Sequence, residues 1–378
     1  MKMKKVLILG SSGSIGRNTL DIIRSNPEDF ILCGLQAHLN ESILLEDGRE
    51  FPKALLCLSG KKSTSDQITY SGSKGILQLI EDSNADIVVN GIVGASGLKP
   101  SIKALECGID LALANKESMV LAGSLIKHLA SLHNCALLPV DSEHSALFLL
   151  LENKKKEIIS ELILTASGGP FRNKKLEEFD SITVNEALAH PTWSMGRKIS
   201  IDSATMANKG LEVIEAQQLF DFHVDCIKVL IHPQSYVHSL IRTKDMALYA
   251  QISEPDMRLP IQDALFYPEM RKVPWTYLDL AGKTLEFQEP DLKKFPMLKL
   301  AFECARQGHA SPIAYNGANE MAVEAFLNER IPYSAIAAVT EHTLEHDWSQ
   351  KHEQADEILE SDQRSREIAE QFIREKSK

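Results

Sequence analysis

The apolar run Val6-Leu-Ile-Leu9 leads directly into Gly10-Ser-Ser-Gly13-Ser-Ile-Gly16, and then into a helical pattern, Arg17-Asn-Thr-Leu-Asp-Ile-Ile-Arg-Ser25. A buried strand that turns on glycines into a helix restricts the fold strongly. The turn lets backbone N–H groups and the helix N-terminus approach an anion closely. By itself such a turn is also an ordinary strand-to-helix connection. Here it heads a long series in which FILCGLQA, ILQLIED, ADIVVNG, SIKALEC, DLALAN, VLAGSLIKHLASL and CALLPV alternate strand-like with helical patterns as far as Val140. This rhythm predicts an α/β, Rossmann-like, doubly wound sheet over residues 1–141 that binds a dinucleotide.

The glycine spacing is G-x-x-G-x-x-G, and after the second predicted strand no acid appears until Glu41. An NAD site would place a carboxylate there for the ribose 2′-hydroxyl, so its absence leans towards NADP. Arg17 and His38 are candidate partners of the 2′-phosphate, or else solvated surface.

A chain of 378 residues exceeds what one core usually supports. Residues 142–270 carry further strand-like runs at Glu161–Thr165, Lys228–Ile231 and Ala247–Ile252, and are read as an α+β catalytic and connective domain with a second sheet. A loop rich in Gly, Pro and Trp at about 168–197 has the character of a lid. Residues 271–294 read as a linking arm, and 295–378 repeat apolar positions at three and four, which predicts a terminal helical bundle. The net charge of −11 argues against a nucleic-acid partner. Six scattered cysteines without a C-x-x-C pair fit a reducing cytoplasm. No export signal and no apolar run near the roughly 20 residues of a membrane span is found.

Asp141-Ser142-Glu143 follows a predicted buried strand, and strand periodicity would set both carboxylates on one face, a donor set for Mg²⁺ or Mn²⁺. Solvated acids at a strand end are the competing reading. Downstream, His190-Pro-Thr-Trp193-Ser-Met195-Gly196-Arg-Lys-Ile-Ser-Ile-Asp-Ser203-Ala-Thr-Met-Ala-Asn208-Lys209-Gly210-Leu-Glu212 concentrates donors, a cation, an aromatic ring and a carboxylate. Ser203, Asn208 and Lys209 are candidates to clasp a phosphate at the start of the helix that continues LEVIEAQQLF. Glu212, read in that helix's first turn, is a candidate third metal ligand. Each residue alone is equally a cap or a surface group, and Trp193 either covers a sugar or packs.

The motifs GSSGSIG, LANKES, PVDSEHSAL, ASGGPF, HPTWSMGRKISIDSATMANKGLE and EPDMRLPIQDAL occur in the order seen in the 1-deoxy-D-xylulose 5-phosphate reductoisomerase family, which the chain resembles over nearly its whole length. The resemblance implies metal-dependent rearrangement and NADPH-dependent reduction of 1-deoxy-D-xylulose 5-phosphate to 2-C-methyl-D-erythritol 4-phosphate, an early step towards isoprenoid precursors, by a homodimer. It implies Asp141, Glu143 and Glu212 as metal ligands and Ser167, Ser203, Asn208 and Lys209 as phosphate contacts. It further implies Lys116, Ser142 and His190 around the substrate hydroxyls, and Trp193 and Met195 in the lid. Ser12, Gly13, Ser14, Ile15, Asn115, Glu117 and Gly196, with His38 and Asn40, would meet NADPH. The family often has Ala-Gly-Lys-Asn after its second strand, where this chain has Ala37-His38-Leu39-Asn40, so a lysine for the 2′-phosphate is missing.

Two other functions are consistent with parts of the sequence. His342-Thr-Leu-Glu345-His346 matches the H-x-x-E-H pattern of zinc peptidases, with both histidines predicted on one helix face. A non-catalytic nucleotide-binding regulator would keep the fold without turnover, although it would be expected to have lost one of the three acids or Lys116.

Overall fold

The structure is a computed structural model describing residues 3–193, 195–272 and 274–376. The chain forms two compact units. The first takes the chain up to Ser118, then Ser124–Ser145 and Asp256–Pro274; the second takes Met119–Gly123, Ala146–Pro255 and Trp275 onwards.

The first unit is a seven-stranded sheet made of β1 (Lys4–Leu9), β2 (Phe30–Ala37), β3 (Leu55–Leu58), β4 (Tyr70–Ser71), β5 (Ile87–Asn90), β6 (Asp110–Leu113) and β7 (Leu137–Pro139), in the order β4-β3-β2-β1-β5-β6-β7. Every pairing is parallel. Val6 to Leu9 are fully buried, as expected where helices cover both faces of a parallel strand. The strand order reverses at β1/β5, and the glycine turn after β1 sits at that switch point. Helix Arg258–Phe266 returns from far along the sequence to pack on helix Ser14–Ser25 and on β6 and β7. There Lys4 Nζ donates to the Leu265 carbonyl at 2.7 Å, and Phe266 meets Phe30 edge-on.

The second unit has a four-stranded sheet, β8 (Ile159–Ala166), β9 (Ile227–Ile231), β10 (Val237–Thr243) and β11 (Leu248–Ile252), ordered β11-β10-β8-β9. β10 runs antiparallel to both neighbours, whereas β8 and β9 are parallel. β10, VHSLIRT, is central and buried, yet its mixed composition does not announce a strand. Four helices, Pro296–Gln307, Ser311–Leu327, Ala335–Leu344 and Ala355–Lys376, form the terminal bundle. The core of this unit joins residues of β8 and β9 to helix Ala207–Phe220 and the bundle. A Cβ at Gly210 would lie 2.6 Å from Ala301 Cβ and 2.7 Å from the Tyr315 hydroxyl, so glycine is what allows that helix to dock so closely. Among the described residues no helix is long and apolar enough to cross a membrane.

Candidate active site

The glycine turn of the first unit packs backbone on backbone at distances that only glycine allows. Gly10 has φ 80°, and a Cβ there would meet the Gly91 carbonyl oxygen at 2.7 Å; a Cβ on Gly16 would overlap the backbone of Ser11. Gly13 caps helix Ser14–Ser25 without a side-chain hydrogen bond, so helix geometry leaves the amides of the first turn, including Ser14 and Ile15, for an outside acceptor. Ser12 is half-buried, and Gly13 and Ser14 are exposed. Ser11 Oγ is buried beside them without a hydrogen-bond partner. Gln36 on β2 ties the turn down, its Oε1 accepting from Gly10 N at 2.8 Å while its Nε2 donates to Ser59 Oγ.

Arg17 is not a loose cation next to this turn. Its guanidinium grips both oxygens of the buried Asp47 at 2.7 and 2.6 Å, so its charge is already met. His38 is exposed, with Nδ1 3.2 Å from Ser59 Oγ, and Leu39 is 58% exposed. Asn40 caps the following helix by accepting from Ile43 N. Asn115 is buried and committed: Nδ2 donates to the carbonyls of Ile92 and Gly94 and to Glu117 Oε2, and Oδ1 accepts from Ser118 N. A Cβ on Gly97 would overlap that amide, so Asn115 fixes two loops of the sheet's C-terminal edge.

Asp141 and Glu143 do not share a strand face. β7 ends at Pro139, and Asp141 precedes helix Ser142–Leu151, its carbonyl accepting the first helical bond from Ser145 N at 2.8 Å. The two acids therefore sit at a helix start, because SEHSALFLLL favours helix over a continued strand. Lys116 Nζ forms an ion pair with Asp141 Oδ2, with Lys116 only 6% exposed. Burial opposes charge on Asp141, but the Lys116 ammonium, with His144 and Glu143, outweighs it and holds the carboxyl well below its usual range. Ser142 Oγ donates to Glu143 Oε2 at 2.6 Å. Completely buried His144, whose Nδ1 lies 4.0 Å from Asp141, is a member of this cluster that the sequence reading missed.

In the second unit β8 runs into Ser167-Gly168-Gly169. Gly169 has φ 65°, and a Cβ there would lie 2.7 Å from the Ser203 carbonyl oxygen, so glycine brings this turn against the end of helix Arg197–Ala204. Ser203 thus belongs to that preceding helix rather than to the one beginning at Ala207. His190 Nδ1 accepts from Thr192 N at 3.2 Å and Trp193 N at 2.9 Å, which puts its proton on Nε2, 3.1 Å from Ser167 Oγ. Burial, with Arg172 nearby, pushes the imidazole down to about 4, so it is neutral at physiological pH. Trp193 and Met195 are half-buried, and Gly196 caps helix Arg197–Ala204.

Helix Ala207–Phe220 starts from Met206 in a left-handed conformation, φ 63°. Asn208 and Lys209 lie in its first turn, and Glu212 is one turn further on than expected. Both donors reach Glu212: Asn208 Nδ2 donates to Oε1 at 2.5 Å, and Lys209 Nζ pairs with Oε2. Asn208 Oδ1 is buried without a partner. Asp202, missed in the sequence, is 1% exposed and pairs with Lys198 at 2.9 Å.

Three family models match the chain: 1-deoxy-D-xylulose 5-phosphate reductoisomerase over residues 6–123, its C-terminal domain over 137–220, and DXP reductoisomerase C-terminal domain over 252–368. The chain belongs to the 1-deoxy-D-xylulose 5-phosphate reductoisomerase family. Relatives of that name from Pelodictyon phaeoclathratiforme and Treponema denticola are 44% and 45% identical, the matches covering 98% of this chain and 100% and 97% of theirs. Among solved structures, a DOX-P reductoisomerase in complex with NADPH, fosmidomycin and magnesium aligns with TM-score 0.92 at 40% identity, covering 98% of each chain. The Zymomonas mobilis reductoisomerase in complex with NADPH aligns with TM-score 0.90 at 36% identity, covering 98% and 99%.

Family membership leaves the peptidase and regulator readings without support. His342 stacks on Phe372 near the end of helix Ala335–Leu344 and meets the His346 ring edge-on at 5.5 Å, but among the described residues neither joins a group of three ligating side chains.

Proposed function

We propose that this chain catalyses the rearrangement and NADPH-dependent reduction of 1-deoxy-D-xylulose 5-phosphate to 2-C-methyl-D-erythritol 4-phosphate for isoprenoid precursor synthesis, as a cytoplasmic homodimer. The observation that carries the reading is a pair of ammonium–carboxylate contacts held away from water, Lys116 with Asp141 and Lys209 with Glu212. Burying such pairs is costly and adds little stability over apolar packing, so their presence within a family of enzymes points to chemistry.

Asp141, Glu143 and Glu212 would hold a divalent cation, and an all-oxygen donor set suits Mg²⁺ or Mn²⁺. Such an ion would polarise the ketone and adjacent hydroxyl oxygens, and NADPH would supply the hydride. The glycine turn fits a pyrophosphate, with first-turn amides, two glycines that admit no Cβ, and a buried Ser11 Oγ lacking a partner. Ser12, Gly13, Ser14, Ile15, His38, Asn40, Asn115, Glu117 and Gly196 would surround NADPH. Lys116 would oppose negative charge developing on the substrate oxygens. Ser142 and His190 would orient the hydroxyls. Because Nδ1 of His190 is occupied by backbone donors, only its Nε2–H is offered outward, shared with Ser167. Ser167, Ser203, Asn208 and Lys209 would hold the phosphate, and Trp193 with Met195 would exclude water above the reacting carbons. Engaging the phosphate would draw Lys209 away from Glu212 and free that carboxylate for the cation.

The test follows nicotinamide absorbance with 1-deoxy-D-xylulose 5-phosphate, with and without Mg²⁺ or Mn²⁺, and with NADH in parallel. Metal-dependent oxidation of NADPH supports the proposal; well-folded, metal-loaded protein that does not oxidise it sinks the assigned reaction. Sedimentation of the same sample tests the dimer.

A further inference from the structure

Helix Arg197–Ala204 carries Ser203 at its end, and beside the apolar Ile201 and Ala204 it buries two polar residues, Ser200 and Asp202. Asp202, 1% exposed, pairs with Lys198 Nζ at 2.9 Å and accepts from Asn319 Nδ2 at 2.8 Å. Asn319 lies on helix Ser311–Leu327 and is fully buried. One residue on, Glu320 accepts from Asn316 Nδ2 at 3.0 Å and pairs with Arg366 at 2.6 Å; Arg366 in turn grips Asp362 at 2.7 Å. Burial opposes charge on Glu320, but Lys198 and Arg366 keep its carboxyl below the usual range. The charges thus alternate from Asp202 through Lys198, Glu320 and Arg366 to Asp362, ending on the last helix, Ala355–Lys376. Two further contacts stiffen the arrangement. Tyr333 Oη donates to the Ala204 carbonyl at 2.6 Å, and helix Ser311–Leu327 packs so closely on the last helix that a Cβ on Gly317 would overlap Ser365 Oγ.

Asn316 and Asn319 each keep a buried Oδ1 without a partner, but their amide nitrogens and the charged groups are paired, and such directional contacts specify one arrangement more sharply than apolar packing. We propose that Asp202 and Asn319 are positioning residues for the substrate phosphate: the terminal bundle, through this hydrogen bond, sets where helix Arg197–Ala204 ends and hence where Ser203 meets the phosphate. The inference rests on the functional reading above, in which Ser203 is a phosphate contact. Neither residue touches substrate; each acts through the helix end. Because Ser203 is read as a contact of the phosphate, the effect belongs to the phosphorylated substrate alone.

The experiment compares wild type, Asp202→Asn, Asn319→Ala and the exchanged pair Asp202→Asn/Asn319→Asp, on 1-deoxy-D-xylulose 5-phosphate and on unphosphorylated 1-deoxy-D-xylulose. Thermal melting and calorimetric titration of inorganic phosphate accompany the kinetics. The single variants are expected to lose about tenfold or more in kcat/KM for the phosphorylated ketose, mostly through KM, and to stay within about twofold of wild type on the unphosphorylated one. The exchanged pair, which reverses the hydrogen bond, is expected to recover most of the loss. Equal losses on both substrates would show a merely structural role and overturn the inference, as would unchanged kinetics. Asn319→Ala, which leaves the Lys198 pair in place, serves if Asp202→Asn does not fold. Should wild type fail to turn over the phosphorylated ketose, the functional reading falls separately, and the phosphate titration decides: weaker binding in the single variants sustains the positioning role, and equal binding overturns it.

Discussion

Lys209 and Glu212 stand one helical turn apart with side chains 4% and 1% exposed, and each helps to compensate the other's burial. Asn208 donates to the other Glu212 oxygen. Removing the ammonium with Lys209→Met leaves the carboxylate short of a partner, and loss of one member of a buried pair typically costs about 3–5 kcal/mol. We expect a loss of that order in urea denaturation with chelator present, and partial recovery on adding Mg²⁺. A loss that Mg²⁺ leaves untouched would count against Glu212 as a metal ligand.

His238 provides a pH signature. Burial, partly offset by hydrogen bonding to the backbone at Glu254 and Ser253, pushes its imidazole down to about 4 from an ordinary 6.5, and its Nε2 lies 3.0 Å from Ser253 Oγ. The unfolded chain binds this proton more readily than the native one, so stability is full above about pH 6.5 and declines as pH falls towards about 4. The shift corresponds to on the order of 3 kcal/mol. Denaturation midpoints of wild type and His238→Gln across that window should converge as pH falls; parallel curves would remove His238 as the cause.

Gly169→Ala tests the close approach of two loops. The residue has φ 65°, and its new Cβ would press on the Ser203 carbonyl oxygen from 2.7 Å, against backbone that has little room to yield. Strain of this kind costs about 1–3 kcal/mol. Because the same contact locates Ser167 relative to Ser203, we expect a raised KM for the sugar phosphate together with the lower melting temperature. A lower melting temperature with unchanged KM would separate the turn from phosphate binding.

The exposed Leu39 stands where the family often has lysine. Leu39→Lys should tighten NADPH by about tenfold, equivalent to roughly 1.4 kcal/mol, and leave NADH unaffected. Nicotinamide fluorescence titrations at low and high salt measure both, and an equal gain for both cofactors would rule out a 2′-phosphate contact.

The parallel sheet is legible because its strands are apolar on both faces, and β1 with its glycine turn can hardly be read otherwise. β10 escapes because VHSLIRT gains burial from β8, far away in sequence, as well as from its hairpin partner β11. Asp141 and Glu143 are misplaced by period: three residues of strand end at Pro139, and the helix beginning at Ser142 takes over. Arg17 reads as a free cation because Asp47, thirty positions away, is visible only in three dimensions. Asp202 is hidden by its neighbours; amid a run of donors, one acid that serves the interior looks like any other.

Helix Arg258–Phe266 seals the first unit from a position more than a hundred residues beyond β7. During synthesis all seven parallel strands therefore leave the ribosome before the helix that covers Phe30 and receives Lys4. The N-terminal sheet must wait, with apolar surface uncovered, while the intervening chain is made. A fragment ending near residue 145 is thus an unfinished body, exposed where helix Arg258–Phe266 should lie, and the first unit is a product of the long chain rather than a module that can be cut from it.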